Sequence, residues 1–186
     1  MAKLYFRYGA MGSSKTANAL MTRYNYIENG KNVVMLKPSI ENRDGEKTIK
    51  SRIGLSAECI YIEDFIKNNS LFNIDAIIVD EAQFLTAKQV DWLSNLVDYY
   101  NIPVLCYGLR TDFQTNCFEG SKRLFELADV IEEIPTICWC GKRAQINARI
   151  CNGRIVTHGE QISLGGNESY ISLCRKHYKE KKLRKD

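Results

Sequence analysis

Short apolar runs recur along the first part of the chain, at Leu4-Tyr5-Phe6, Val33-Val34-Met35-Leu36, Ala76-Ile77-Ile78-Val79 and Val104-Leu105-Cys106-Tyr107, each of a length suited to a strand buried on both faces. The segments between them carry helical signals. Residues 15–28 hold Ala, Leu and Met and are stopped by Asn29-Gly30, which predicts a helix. A capping-box pattern at Thr86-Ala87-Lys88-Gln89 is followed by Val90, Leu93, Val97 and Tyr100 at helical spacing. Residues 121–127 predict a short helix running into Val130-Ile131, and residues 58–63 a short strand followed by a weak helix. The polar stretch 39–52, closed off from the second strand by Pro38, has no periodicity and reads as a loop. Strand and helix signals in alternation predict an α/β fold, a parallel sheet with helices on both faces. Beyond Pro135 the rhythm breaks: glycines are dense, apolar runs are short, and so small a core needs a staple.

The turn after the first strand bears the first candidate chemistry. In Gly9-Ala10-Met11-Gly12-Ser13-Ser14-Lys15-Thr16, backbone N–H groups and the positive end of a helix can hold phosphate oxygens. Lys15 would bridge the terminal phosphates and the Thr16 hydroxyl would meet Mg²⁺. The pattern G-x-x-x-x-G-K-[ST] expects glycine where this chain has Ser14, whose Cβ disfavours the backbone angles glycine permits. Taken alone, the run also reads as a helix start in which Ser13 or Ser14 caps exposed N–H groups. A second element favours the phosphate reading. The apolar strand at residues 75–79 ends in Asp80-Glu81, and ligands of open α/β sheets gather at the carboxyl ends of strands. Asp80 is placed to hold Mg²⁺ through water, leaving Glu81 for general-base work. Both elements predict a nucleoside triphosphate site on a P-loop (RecA-like) parallel sheet.

Composition changes this picture only at the edges. The chain has 186 residues, 45% apolar and 26% charged, enough for one full core and a small appendage. No apolar stretch is long enough to span a bilayer and the N-terminus lacks a signal-peptide core, so the expected location is cytoplasmic. Much of the net charge of +4 sits in residues 176–185, where a solvated C-terminus is favoured over a nucleic-acid contact. Seven cysteines, odd in number and scattered, do not make a disulfide framework. Cys138, Cys140, Cys174 and His177 form two short-range pairs that would fill a closed tetrahedral zinc site, with Cys151 and His158 as competing ligands. Cys59, Cys106 and Cys117 have no close Cys or His neighbour and read as core or surface thiols. The expected organisation is a nucleotide-binding domain over 1–135 and a zinc-binding domain over 136–186.

With these elements in place, the chain resembles the zinc-containing, cytosolic-type (type II) thymidine kinases through nearly all of its length. The resemblance is carried by the loop with Met11, by Asp80-Glu81-Ala82-Gln83-Phe84, by Cys106-Tyr107-Gly108-Leu109-Arg110-Thr111-Asp112-Phe113, and by Gly165-Gly166-Asn167-Glu168-Ser169-Tyr170. It implies transfer of the ATP γ-phosphoryl group to the 5′-hydroxyl of thymidine, with Mg²⁺ and a structural Zn²⁺. Glu81 would be the base, with Gly9, Ala10, Met11, Gly12, Ser13, Ser14, Lys15, Thr16, Asp80 and Gln83 on the ATP side. Arg43 would lie near the reacting phosphoryl group, and Glu41 stands where the family often has Asp. A lasso over about 161–170, including Ser163 and anchored by the zinc, would close on the base. Met11, Phe84, Leu109, Phe113 and Phe118 would wall it, with Tyr170 supplying a ring and a hydroxyl. The resemblance also implies a homotetramer inhibited by dTTP, and acceptance of deoxyuridine is compatible with it. Two competing readings stand beside it: a P-loop ATPase stimulated by nucleic acid and carrying a zinc ribbon, and a nucleoside-binding relative inactivated at Ser14.

Overall fold

The structure is a computed structural model that describes residues 1–41, 47–68, 71–162 and 169–184. In chain order the first half comprises β1 (Leu4–Tyr8), α1 (Lys15–Glu28), β2 (Val33–Lys37), β3 (Thr48–Lys50), β4 (Ser56–Glu58), β5 (Ile60–Tyr61), α2 (Ile62–Asn68) and β6 (Ala76–Val79). A 3₁₀ turn at Ala82–Phe84 leads to α3 (Ala87–Tyr100), β7 (Val104–Gly108), α4 (Glu119–Leu127) and β8 (Val130–Glu133). Then follow β9 (Thr136–Ile137), β10 (Arg143–Ala144), β11 (Ile146–Cys151), β12 (Arg154–Val156), β13 (Ser169–Leu173) and α5 (Arg175–Lys179).

Six strands form one sheet in the order β5-β2-β6-β7-β1-β8, and every pairing in it is parallel. Alternation along the strands sorts the core into two layers. Phe6, Ile77, Val79 and Cys106 pack with Leu93 and Val97 of α3 and Leu124 of α4. Ile78, Leu105 and Tyr107 turn the other way, onto Ala19 and Leu20 of α1. The predicted sheet covered on both faces is therefore present. The start of α3 closes with the capping box its sequence predicts: Gln89 N donates to Thr86 Oγ1 (3.2 Å), and Thr86 N donates to Gln89 Oε1 (2.9 Å).

Two stretches depart from the sequence expectation. Part of the expected loop 39–52 is a strand: β3 pairs antiparallel with β4. Its apolar signal is a single residue, Ile49, which is buried in the α1 layer, while Lys37 Nζ donates to Thr48 O (2.8 Å) and ties the hairpin to β2. The expected strand over 58–63 is broken into the end of β4, the two-residue β5 beside β2, and the start of α2 at Ile62. Tertiary pairing sets these short segments, and local propensity is too weak to do so.

Past β8 the architecture becomes antiparallel, with β9 against β10 and a three-stranded sheet β12-β11-β13. Its core is small: Cys138, Ala144, Ala148, Ile155, Leu173 and Cys174. Among the described residues no helix is long and apolar enough to cross a membrane.

Candidate active site

The loop between β1 and α1 is shaped by close backbone approaches. Gly9 N donates to Gly108 O (3.2 Å), and a Cβ at Gly9 would fall 2.4 Å from both Ile134 O and Ser13 Oγ, so only glycine fits. Gly12 has φ +75° and Ser14 φ 60°, ψ 28°. Ser14 thus adopts the left-handed conformation that the usual glycine would supply. Its side chain is exposed and makes no capping hydrogen bond, so helix capping does not account for it. The left-handed backbone costs a non-glycine residue about 1 kcal/mol. Ser14→Gly should therefore raise the thermal midpoint, a gain of about 0.5–1 kcal/mol, measurable by calorimetry. An unchanged or lowered midpoint would mean that the side chain compensates for its strain.

Lys15 reaches back over this loop, its Nζ donating to Ala10 O (2.9 Å) and lying 3.3 Å from Ser13 Oγ. Burial pulls its ammonium below the ordinary lysine range, against Glu81 and Asp80, whose charges hold it up. Thr16, one residue on, hydrogen-bonds the Asp80 carboxyl at the end of β6. Asp80 is only 4% exposed. Burial first, and the charge of Glu81 second, push its carboxyl up to about 7. The folded protein then keeps a proton that the unfolded chain has already lost, so stability falls as pH climbs from the ordinary 3.8 toward 7. Asp80→Asn, neutral throughout, removes that loss. Without metal or nucleotide, its thermal midpoint should exceed that of wild type by several degrees at pH 8, with the gap narrowing steadily as pH falls and closing only below about pH 4. A pH-independent difference would contradict this assignment.

Glu81 follows with φ 51°, a second left-handed residue, which swings the chain off the strand end into the 3₁₀ turn. Gln83 grips its carboxylate, with Nε2 2.5 Å from Glu81 Oε2, and accepts Leu109 N at its own Oε1 (2.9 Å). Gly108 admits this grip, since a Cβ there would lie 2.9 Å from Gln83 N and Oε1. Gln83 thus links the acid to β7.

Both acids open into a cleft of about 570 Å³. Its lining includes the polar residues Ser14, Lys15, Thr16 and Glu41 and the largely apolar set Met11, Phe84, Leu109, Phe113, Phe118 and Tyr170. Phe84 and Phe118 meet edge to face, centroids 5.6 Å apart at 79°. The sequence expectation for Arg43 and Ser163 falls outside the described residues, as do the lasso residues Gly165, Gly166, Asn167 and Glu168.

Sequence reasoning missed several residues here. Arg149 lies 3.7 Å over the centre of the Phe113 ring and donates to Tyr170 OH (2.8 Å), Glu160 O (2.9 Å) and Gln161 O (3.3 Å). Asp112 accepts Gln161 Nε2 (2.9 Å). Asn147 is buried beside Met11. Asn147 and Arg149 alternate with Ile146 and Ala148, which from sequence describes a strand with one solvated face. That face is turned to the cleft instead.

Cys138, Cys140, Cys174 and His177 place their ligand atoms within 4.8 Å of one another. Cys140 Sγ and Cys174 Sγ are 4.0 Å apart, and His177 Nδ1 lies 3.5 Å from Cys138 Sγ and 3.4 Å from Cys174 Sγ. Tetrahedral zinc with ordinary bond lengths requires about 3.8 Å between sulfurs and about 3.6 Å between sulfur and nitrogen. A disulfide would need about 2.05 Å. The donor set therefore fits zinc. Cys151 and His158, the competing ligands, lie outside the cluster. Trp139 stacks on the His177 ring at 4.1 Å and 15°.

A phosphate loop, an acid pair at a strand end and an aromatic-walled cleft, set on a parallel sheet with a Cys₃His cluster beyond it, define a P-loop nucleotide-binding α/β protein with an added metal-type centre. Residues 2–178 match the family described as thymidine kinase. The chain is 47% identical over 192 residues to the thymidine kinase of Pasteurella multocida, covering 97% of this chain and 98% of that one. It is 47% identical over 184 residues to that of Lactococcus lactis (96% and 97% covered) and 45% identical over 192 to that of Haemophilus influenzae (97% and 98%). The chain belongs to the thymidine kinase family.

Proposed function

We propose that this chain transfers the γ-phosphoryl group of ATP to the 5′-hydroxyl of thymidine, giving dTMP and ADP. One observation carries the reading: Glu81, held by Gln83, lines the same cleft as Lys15 and Thr16 of the phosphate loop and as Phe84, Phe113, Phe118 and Tyr170, and that cleft is large enough for a nucleoside. The hydroxyl oxygen forms a bond to the γ-phosphorus, the bond to the β–γ bridging oxygen breaks toward ADP, and Glu81 takes the hydroxyl proton. Such transfer rests on alignment and charge neutralisation. Lys15 Nζ, leaving its contact with Ala10 O, and the N–H groups of the 9–14 loop that are not already bound to Gly108 O, Asn147 Oδ1 and Ala10 O hold the β and γ phosphates. Thr16 and Asp80, already hydrogen-bonded to each other, would hold Mg²⁺, which neutralises charge on the phosphates.

Phe84, Leu109, Phe113, Phe118 and Met11 wall the base, Tyr170 adds its ring and hydroxyl, and Glu41, Arg43 and Ser163 are proposed as further substrate contacts. Residues 1–135 form the nucleotide-binding domain, which also supplies most of the base wall, and 136–186 the zinc-binding and nucleoside-lasso domain, which a structural zinc at Cys138, Cys140, Cys174 and His177 would hold in shape. We further propose a cytoplasmic homotetramer that dTTP inhibits by occupying the nucleoside cleft and phosphate loop together.

The test is ADP release from ATP and Mg²⁺ with thymidine, deoxyuridine, other deoxynucleosides or single-stranded DNA as acceptor. Turnover that requires thymidine supports the reading. Hydrolysis stimulated by DNA alone would replace it with a nucleic-acid-dependent ATPase, and silence with every acceptor would identify a relative inactivated at Ser14.

A further inference from the structure

The crest of the phosphate loop is held from the far half of the chain. Met11 N donates to Asn147 Oδ1 (2.7 Å), and Met11 O accepts Ser172 Oγ (2.5 Å), so both peptide groups flanking this residue are bound by side chains more than a hundred positions away. Thr136 Oγ1 adds a longer contact to Gly12 O (3.3 Å). Asn147 is 3% exposed and spends its amide on Thr111 O (3.4 Å), which fixes which end faces Met11.

The two clamp residues are direct partners in the β11/β13 ladder, Asn147 opposite Ser172. The next pair on the same face is Arg149 opposite Tyr170, which belongs to the cleft wall. Strand periodicity puts Tyr170, Ser172 and Cys174 on one side of the β13 line, two residues apart. Within five residues, this segment touches the nucleoside wall, the phosphate loop and the metal cluster. A loop with two left-handed residues in four, one of them a serine, needs outside constraint to keep a single shape.

Resting on the function proposed above, we infer that Asn147 and Ser172 are positioning residues of the phosphate loop, and that through their clamp on Met11 nucleoside binding and ATP binding strengthen each other. Neither residue need touch ATP. Occupancy of the cleft orders Tyr170 and hence β13, which fixes Ser172 and Asn147 and pre-sets the loop. Linkage makes the effect reciprocal.

Calorimetric titration of wild type, Ser172→Ala and Ser172→Thr with ADP, each with and without saturating thymidine, tests this. In wild type, thymidine should tighten ADP binding about five-fold or more. Ser172→Ala should weaken ADP binding about five- to ten-fold without nucleoside, lose the thymidine effect, and leave thymidine affinity in the absence of ADP within about two-fold. Ser172→Thr, which keeps the hydroxyl, should restore most of both. Asn147→Ala should raise the KM for ATP more than that for thymidine. The inference is overturned if the thymidine effect is the same in Ser172→Ala as in wild type, or if both affinities fall together and Ser172→Thr behaves like Ser172→Ala. Failure of the underlying function would look different: thymidine would then not bind wild type at all, and the coupling would fall with it.

Discussion

Glu81→Gln should cut thymidine-dependent ADP release by about 10²- to 10⁴-fold while leaving ADP binding nearly unchanged. The substitution preserves shape: the new amide oxygen can still accept Gln83 Nε2, which in turn stays fixed by Leu109 N. The left-handed backbone at residue 81 is also unaltered in kind. What disappears is the proton acceptor and one negative charge. That charge helps hold the Asp80 carboxyl at about 7, so its loss lets Asp80 ionise more readily and should not weaken metal binding. A drop confined to kcat, with KM for ATP held, would assign Glu81 to the chemical step. Activity within a few-fold of wild type would move the base elsewhere in the cleft.

How much of this was legible beforehand differs from one residue to the next. The phosphate loop and the acid pair could be read because their chemistry depends on local order: a strand, a turn, then Lys15-Thr16, and a buried apolar run ending in Asp80-Glu81. α1 occupies the residues its composition predicts, and α3 begins at the predicted capping box. The Cys₃His cluster was legible from two close pairs, though only folding shows that Cys151 and His158 stay out. Long-range polar contacts left no such trace. Asn147 and Arg149 look like the wet face of an antiparallel strand until the phosphate loop and the Phe113 ring are seen against them. The resemblance puts Gln83 on the ATP side, and the structure adds what sequence leaves silent: its amide is bound to Glu81 and Leu109 N. The β3/β4 hairpin escaped because its burial depends on one isoleucine. Ser14 was the clearest departure from pattern, and the structure gives it meaning: the position still takes the backbone shape of glycine, and the clamp on Met11 helps to enforce it.

Removing the metal should have the second large effect, and it should spread. The hydrophobic cluster under β11 and β13 is small, and two of its members, Cys138 and Cys174, belong to the Cys₃His cluster that fits zinc. Structural zinc contributes on the order of 10 kcal/mol to domains of this size, more than such a cluster can replace. Cys174→Ser, or exhaustive chelation, should reduce bound zinc from one per chain to near none by elemental analysis and lower the thermal midpoint by more than about 10 °C. Thymidine-dependent turnover should fall at least a hundred-fold, because β13 runs from Tyr170 in the cleft through Ser172 on the phosphate loop to Cys174 at the metal. Hydrogen exchange should separate the consequences. Protection should vanish across β9 to β13 yet persist in β1, β6 and β7, whose layers are built from residues that precede Pro135. A zinc-free protein with full activity and an unshifted midpoint would show that the small antiparallel sheet holds its shape without a staple, and that the four ligands serve some other end.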